Sequence, residues 1–281
     1  MGEHSRLCTC YNSTVSTLLV FCFMKKNEEK NDSDLVSELV RTGFKLRYHN
    51  SVLGFLWVLL KPFFTFLVLF FVFNNFKSND GIVNFPIYLL SGIILFTYIS
   101  ESLTYGLNAL LEKSNIILKV NFDRTLAVYS SSALAFINFA INLAILAVFA
   151  YFNPVSPTLV SFLYMAFVVI TTVLGLLAAS FFLSIFLIRL RDLSNIVELL
   201  LQLLFYGSAI FYPVTLLPQK LEVIMGYNPF YIIIESFRTA LILGEVVLLN
   251  QMIVIFVLSV AMLMLGKLYF KAKVKKIAEY F

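Results

Sequence analysis

The polar residues that could do chemistry stand inside long apolar runs. Glu198 and Gln202 are four residues apart, and Asn138 and Asn142 have the same spacing, which places each pair on one face of a helix. Glu101 is a further carboxylate in such a run. An ionisable group in a bilayer marks a hydrated pathway by default, but carboxylates and amides also hold helices together by hydrogen bonds. We favour packing for the asparagines and leave both roles open for Glu198. The pathway candidates are Glu101, Glu198, Gln202, Tyr206 and Tyr212.

Catalytic motifs are absent from the sequence. It contains no G-x-x-x-x-G-K-[ST] phosphate loop, no G-x-S-x-G and no H-E-x-x-H, the patterns that hold nucleotides, nucleophiles and zinc. His4 and His49 lie outside the apolar runs, and Cys8 and Cys10 have no further ligand nearby. We therefore expect a chain that is not an enzyme, with no catalytic residue, metal or cofactor of its own.

The elements that must position these residues are membrane helices. Of the 281 residues, 60% are apolar and 13% are charged, against about 25% charged in a typical soluble domain. Six segments, roughly 52–75, 85–106, 125–152, 158–188, 193–213 and 247–270, reach the length of about 20 residues that crosses a bilayer. A barrel would need short alternating strands. The sequence predicts an all-α integral membrane protein with six transmembrane helices.

The distribution of basic residues predicts the orientation. The net charge is +5, from 21 Lys and Arg against 16 Asp and Glu. If both termini are cytoplasmic, only Lys77, Lys220 and Arg238 fall on the outer side, as the positive-inside bias requires. The charge therefore indicates a multi-pass topology and no nucleic-acid partner.

The chain before the first span divides into two parts. Residues 1–33 are predicted to be a cytosolic segment, with Met24 as the functional initiator and residues 1–23 dispensable. Residues 34–50 form the interface segment, in which positions 34–48 suit an amphipathic helix lying in the membrane plane. Its apolar arc contains Leu35, Val36, Leu39, Val40, Gly43 and Leu46. Packing against another cytosolic element is the alternative.

Residues 214–246 interrupt the pattern of spans. Pro213, Pro218, Gly226 and the pair Asn228-Pro229 break this stretch, which also carries several charges. A seventh span would move the lysine-rich tail, 271–281, to the outside. We therefore predict two short re-entrant helices in the outer leaflet, because irregular backbone at that depth must be buried in protein or line a wet cavity.

Residues 47–62, R-Y-H-N-S-V-L-G-F-L-W-V-L-L-K-P, resemble the R-Y-x-x-S-x-L-G-x-x-W opening of type-2 ABC transporter permeases that export polysaccharides. Further resemblances follow in the family's order over about 34–275, at residues 111–122, 191–192, 211–213, 217–218, 228–230 and 237–238. The chain has Asp123 where the family usually has proline, and Lys61 where it usually has an uncharged residue. Lys61 could snorkel to the interface or meet an anionic headgroup.

The resemblance implies one half of a transporter in a bacterial inner (cytoplasmic) membrane. Two copies would form a homodimer around a channel, and two copies of a separate ABC ATPase subunit would bind ATP and Mg. The substrate would be a lipid-linked glycan of the O-antigen, capsule or teichoic-acid type, often on undecaprenyl diphosphate. A type-2 permease for a small molecule such as a drug is the alternative, and a glycan-modifying enzyme or a membrane scaffold fits less well.

The resemblance also implies roles for residues. The loop 107–124 would carry the coupling helix, flanked by the interface helix, unless it is only a solvated basic loop. The ATPase-coupling candidates are Glu38, Arg41, Lys45, Glu112, Lys113, Ser114, Asn115 and Lys119. The headgroup candidates at the inner mouth are Arg47, Trp57, Lys61 and Arg124, and the candidates for the extracellular gate within 214–246 are Pro218, Asn228, Pro229 and Arg238.

Overall fold

A computed structural model describes residues 33–47, 53–74, 84–117, 119, 122–153, 155–214 and 217–277. The predictions for residues 1–32, including the Met24 start, and for motif residues 48–52 lie outside this part. Within it the chain forms ten α-helices and no strand. They are α1 (33–47), α2 (Trp57–Asn74), α3 (Phe85–Glu112), α4 (Ser114–Ile117), α5 (Thr125–Tyr151), α6 (Leu159–Arg189), α7 (Leu193–Gly207), α8 (Gln219–Met225), α9 (Pro229–Ile242) and α10 (Leu249–Ile277).

Five of these helices, α2, α3, α5, α6 and α10, are long and apolar enough to cross a membrane. The all-α membrane class is therefore confirmed. Helix α7, predicted as the fifth of six spans, has only 15 residues, about 22 Å of helix against a hydrocarbon core of about 30 Å. The count of six stays a prediction.

Helix α3 is the centre of the bundle. It is buried along most of its length, whereas α2 and α10 are mostly exposed. It packs against α2, α5, α6, α7 and α9. A Cβ at Gly106 would collide with the Ser180 side chain on α6, so a glycine is what lets these two helices approach closely.

Two helices extend beyond the segments that the sequence predicts for them. Helix α3 continues to Glu112, because Leu107, Ala109 and Leu110 are apolar and buried, so the first third of the expected coupling loop is helical. Only the short helix α4 follows it. Helix α10 likewise runs into the expected tail.

The Asp123 that replaces the family's proline accepts a hydrogen bond from the Thr125 N–H at 3.0 Å, at the beginning of α5.

The amphipathic helix α1 forms over 33–47. Leu39 is buried, while Glu38, Arg41 and Lys45 are exposed, as the predicted arcs require. Leu46 differs from the prediction, since its side chain is 79% exposed rather than packed with the rest of the apolar arc.

Replacing Gly106 by Ala tests the close crossing of α3 and α6. The new methyl group overpacks the contact with Ser180, so we expect the free energy of unfolding in detergent to fall by about 1–3 kcal/mol. Gly207→Ala is the matched control, because a Cβ there meets nothing within 4 Å in the described structure. Equal stabilities of the two variants would contradict the crossing.

Candidate functional site

Helices α2, α3 and α7 enclose a polar groove with a cavity volume of about 630 Å³. Four residues predicted separately from the sequence meet there: Lys61 from the headgroup candidates, and Glu198, Gln202 and Tyr206 from the pathway candidates. The other lining residues are Phe96, Ser100, Thr104, Leu107, Asn108, Ser194, Val197, Leu201 and Phe205. We refer to this cavity as the α2–α3–α7 groove.

Helix α7 gives the groove one continuous face. Its lining residues recur every three or four positions, from Ser194 through Glu198 and Gln202 to Tyr206, which is the period of a helix. The expected i, i+4 relation of Glu198 and Gln202 therefore brings both side chains to the same cavity. Among the described lining residues, Glu198 is the one carboxylate and Lys61 the one cation.

The α3 wall of the groove carries a polar stripe that the sequence reasoning missed. Ser100, Thr104 and Asn108 all line the cavity. The Thr104 hydroxyl donates to the Ser100 carbonyl at 2.8 Å, and Asn108 Nδ2 donates to the Thr104 carbonyl at 3.0 Å. These bonds use a donor of each side chain and leave its oxygen available as an acceptor. Ser100, Thr104 and Asn108 are spaced four residues apart in an apolar helix. This spacing is the sequence signal from which the stripe could have been predicted.

Lys61 stands near the amino end of α2, one residue before Pro62. The proline lies inside the helix and cannot donate a backbone hydrogen bond, while Thr65 Oγ1 donates to the Lys61 carbonyl at 3.0 Å. Trp57, predicted with Lys61, lies half-exposed at the first position of α2. It does not contribute to the described lining of the groove.

Glu101 faces a different neighbour. Asn138 Nδ2 on α5 donates to Glu101 Oε2 at 2.9 Å and approaches the Tyr105 hydroxyl at 3.5 Å. This contact joins α3 to α5. Glu101 is not among the described residues that line the groove, and its pathway role stays a prediction. Asn138 holds helices together as predicted, whereas Asn142 Nδ2 donates to the Asn138 carbonyl of its own helix.

Two of the predicted headgroup cations are engaged elsewhere. Arg47 Nη2 lies 3.0 Å from both carboxylate oxygens of Glu112, and its guanidinium lies 3.4 Å from the Tyr105 ring centroid. Arg124 Nη1 donates to the Val274 carbonyl of α10. Neither cation lines the groove. Both cations have protein partners in this structure, and their headgroup role stays a prediction.

Lys113 is the clearest correction among the coupling candidates. Its side chain is only 9% exposed. The ammonium donates to the Ala127 carbonyl and to the Ser130 and Ser131 hydroxyls, at 2.5–2.7 Å. Lys113 therefore anchors the turn between α3 and α4 to α5, and it is not a surface contact for a partner. The other coupling candidates, Glu38, Arg41, Lys45, Glu112, Ser114, Asn115 and Lys119, are exposed or half-exposed.

Burial lowers the pKa of the Lys113 ammonium from 10.5 to about 8, because the charged form loses its hydration inside the protein. The nearby Glu112 carboxylate opposes this shift, and the positive charge of Arg47 adds to it.

At the carboxyl end of α7, side chains donate hydrogen bonds to a series of backbone carbonyls. The helix ends at Gly207, and residues 208–213 belong to no helix or strand. The Tyr212 hydroxyl donates to the Tyr206 carbonyl at 3.0 Å, and Asn228 Nδ2 donates to the Gly207 carbonyl at 3.3 Å. The Tyr88 hydroxyl donates to the Tyr212 carbonyl at 3.3 Å.

Arg238 donates hydrogen bonds to two further carbonyls of this stretch. It is 1% exposed, and its Nη1 and Nη2 donate to the Ala209 and Ile210 carbonyls at 3.2 and 2.6 Å. Its guanidinium lies 3.8 Å from the Tyr88 ring centroid, and Glu235 lies 3.5 Å away. Arg238, a predicted gate residue, is therefore buried against these carbonyls, and its gate role stays a prediction. We call these four donors, Tyr88, Tyr212, Asn228 and Arg238, the carbonyl clamp.

The remaining gate candidates lie at helix ends. Pro218 comes directly before α8, and Pro229 is the first residue of α9, where the Asn228 side chain caps the helix by accepting from the Phe230 N–H at 3.0 Å. The two short helices predicted for 214–246 are therefore present, and α9 is largely buried.

The sequence pattern of the ABC-2 type transporter family matches residues 34–242. The chain belongs to this family. It is a multi-pass membrane protein and a transport component. Its relatives include an O-antigen export system permease protein RfbA of Klebsiella pneumoniae, 26% identical over 73% of this chain and 79% of the relative. An RfbA protein of Myxococcus xanthus is 25% identical over 87% of this chain and 94% of the relative.

Arg238→Met tests the carbonyl clamp of this ABC-2 type transporter. The change leaves the Ala209 and Ile210 carbonyls and the Glu235 carboxylate without their cation, and removing one partner of a buried pair costs about 3–5 kcal/mol of unfolding free energy. Tyr88→Phe removes a single hydroxyl and should cost about 1 kcal/mol. Unfolding in detergent measures both. A loss for Arg238→Met no larger than that for Tyr88→Phe would count against the clamp.

Lys113→Met tests the buried ammonium of the transporter. Between pH 8 and 10.5 the folded protein has released the Lys113 proton and the unfolded chain still holds it, so unfolding takes up a proton and stability rises with pH. Across this window the wild type should gain up to about 3 kcal/mol relative to Lys113→Met. Unfolding measured at several pH values checks this, and a constant difference between the two proteins would refute it.

Proposed function

We propose that this chain is the permease subunit of an ATP-driven exporter that moves a lipid-linked polysaccharide, of the O-antigen type, out of the cytoplasm. It would act as a homodimer in a bacterial inner membrane, with both termini cytoplasmic. The relatives, named as O-antigen export system permease proteins, support the substrate class. The observation that carries the proposal is the α2–α3–α7 groove, which combines a cation with a wall of hydrogen-bonding side chains.

The groove suits a sugar chain. Thr104, Asn108, Glu198 and Gln202 offer acceptors to sugar hydroxyls, and amides also donate. Phe96, Phe205 and Tyr206 add aromatic ring faces to the lining, against which the apolar faces of sugars can slide. Many weak contacts of this kind favour passage, because no single contact holds the chain in place.

Lys61 suits the phosphate of the lipid carrier. It is the cation of the described groove lining, and a lysine binds phosphate as a compact point charge. At the inner part of α2 the ammonium would hold the diphosphate near the cytoplasmic interface, while the lipid chain stays in the bilayer and the first sugars enter the groove.

The energy for transport would come from a separate ABC ATPase, two copies of which would bind ATP and Mg. The surface we propose for its docking is formed by exposed or half-exposed side chains of α1, of α4 and of the turn after α4: Glu38, Arg41, Lys45, Ser114, Asn115 and Lys119. Lys113 would act beneath this surface, by fixing the turn before α4 to α5.

Lys61→Gln in the complex with the co-expressed ATPase tests this function. We expect the concentration of lipid-linked glycan that half-maximally stimulates ATP hydrolysis to rise about tenfold, as for the loss of one charge-assisted hydrogen bond. Lys271→Gln is the control, because Lys271 is half-exposed and pairs with Asp123, two residues before α5.

An unchanged half-maximal concentration in Lys61→Gln would contradict the headgroup role. If lipid-linked glycans fail to stimulate the wild-type complex while a small drug-like molecule does, the polysaccharide assignment itself is wrong.

A further inference from the structure

We infer that the Arg47–Glu112 ion pair is a phosphate-responsive switch. A lipid phosphate binds the Arg47 guanidinium in competition with Glu112, and the release of Glu112 changes the charge beside the turn that leads into α4. This inference rests on the proposed function, because it explains how an arriving substrate alters the surface on which the ATPase docks.

The geometry of the ion pair allows the Arg47 guanidinium to exchange Glu112 for another anion. A single nitrogen, Nη2, makes both contacts with Glu112, at 3.0 Å each. The two edges of a guanidinium that can hold two phosphate oxygens side by side are Nε with Nη2 and Nη1 with Nη2. Both include the Nη2 that contacts Glu112, so a phosphate that binds in this way displaces the carboxylate. The Tyr105 ring below the guanidinium, 3.4 Å away, holds the cation in place during an exchange.

The strengths of the two contacts favour exchange. The Arg47 side chain is 24% exposed and that of Glu112 is 48% exposed, and an ion pair between partly hydrated groups contributes little to stability. A bidentate arginine–phosphate contact is stronger and more directional. Arg47 also belongs to the end of the amphipathic helix α1, which we expect to lie at the interface where lipid phosphates are found.

Helix α3 connects Arg47 to the groove. Tyr105, whose ring lies against the Arg47 guanidinium, stands on α3 between Thr104 and Asn108, which line the groove. An anion that enters the groove beside Lys61 therefore meets the helix on which Arg47 rests.

Glu112 connects the pair to the docking surface. It is the last residue of α3 and directly precedes Lys113, the buried anchor of the turn before α4. Glu112 and Arg47 both act on the Lys113 ammonium. When Arg47 turns to a phosphate, a free carboxylate is left beside this turn, on the exposed surface proposed for the ATPase.

A charge swap separates a switch from a merely structural contact. Arg47→Glu combined with Glu112→Arg restores an ion pair but removes the cation from position 47. We expect the swap to recover the unfolding temperature that each single change loses. The stimulation of the co-purified ATPase by lipid-linked glycan, assayed in phosphatidylcholine vesicles, should nevertheless fall about tenfold. Glu112→Gln, in which Arg47 has no carboxylate to leave, should hydrolyse ATP without lipid at the rate that the wild type reaches only with it.

The control is a second charge swap, Asp123→Lys with Lys271→Asp, which reverses another ion pair of exposed groups and should keep the wild-type stimulation. Vesicles with phosphatidylglycerol and no glycan show which phosphate Arg47 binds. If these vesicles stimulate ATP hydrolysis, the switch senses membrane phosphates. If only the lipid-linked glycan stimulates ATP hydrolysis, the switch senses the substrate. Either result, combined with loss of stimulation in the swap, supports the switch.

Wild-type stimulation in the swapped pair, or an unchanged resting rate in Glu112→Gln, overturns the inference and leaves the proposed function intact. A wild-type complex that no lipid-linked glycan stimulates overturns the proposed function, and if phosphatidylglycerol fails to stimulate it as well, the switch is overturned with it.

Discussion

Backbone carbonyls at the end of a short helix inside a bilayer must find partners within the protein, and the rest of this structure depends on how that is done. Helix α7 ends at Gly207, before it has reached the length of a full span. Side chains from α3 and α9 then cover the carbonyls that follow, above all the buried guanidinium of Arg238. Water cannot do this in hydrocarbon. The clamp therefore fixes the helix that carries Glu198 and Gln202.

The groove lies between two anchored ends of the bundle. At one end the carbonyl clamp joins α7 to α3 and α9, and at the other Lys113 joins the α3–α4 turn to α5. Helix α3 takes part in both and also supplies the polar stripe of Thr104 and Asn108. A displacement of α3 is therefore transmitted to both ends, which gives a physical route between the groove and the surface proposed for the ATPase.

Periodicity predicted the helices and part of the site, because it depends only on local geometry. The spacing of Glu198 and Gln202 was sufficient to place both side chains in one cavity. It could not predict that Glu101 faces α5, since the rotation of α3 is set by packing, including the close approach at Gly106. Charge counting assigned Lys113 and Arg238 to segments outside the spans. It could not predict that both side chains are buried, because a hydropathy scale includes the free-energy cost of burying a charge but not the hydrogen-bond acceptors that offset this cost.

The central claim is that the glycan passes through the α2–α3–α7 groove. It is tested most directly by a photo-crosslinking amino acid at Gln202 in the assembled transporter, supplied with radiolabelled lipid-linked glycan and ATP. Ile196, which is half-exposed on the same helix and does not line the groove, is the matched control position. The account predicts label at position 202 and little at 196. Equal labelling at both positions, or labelling at 196 alone, would contradict it.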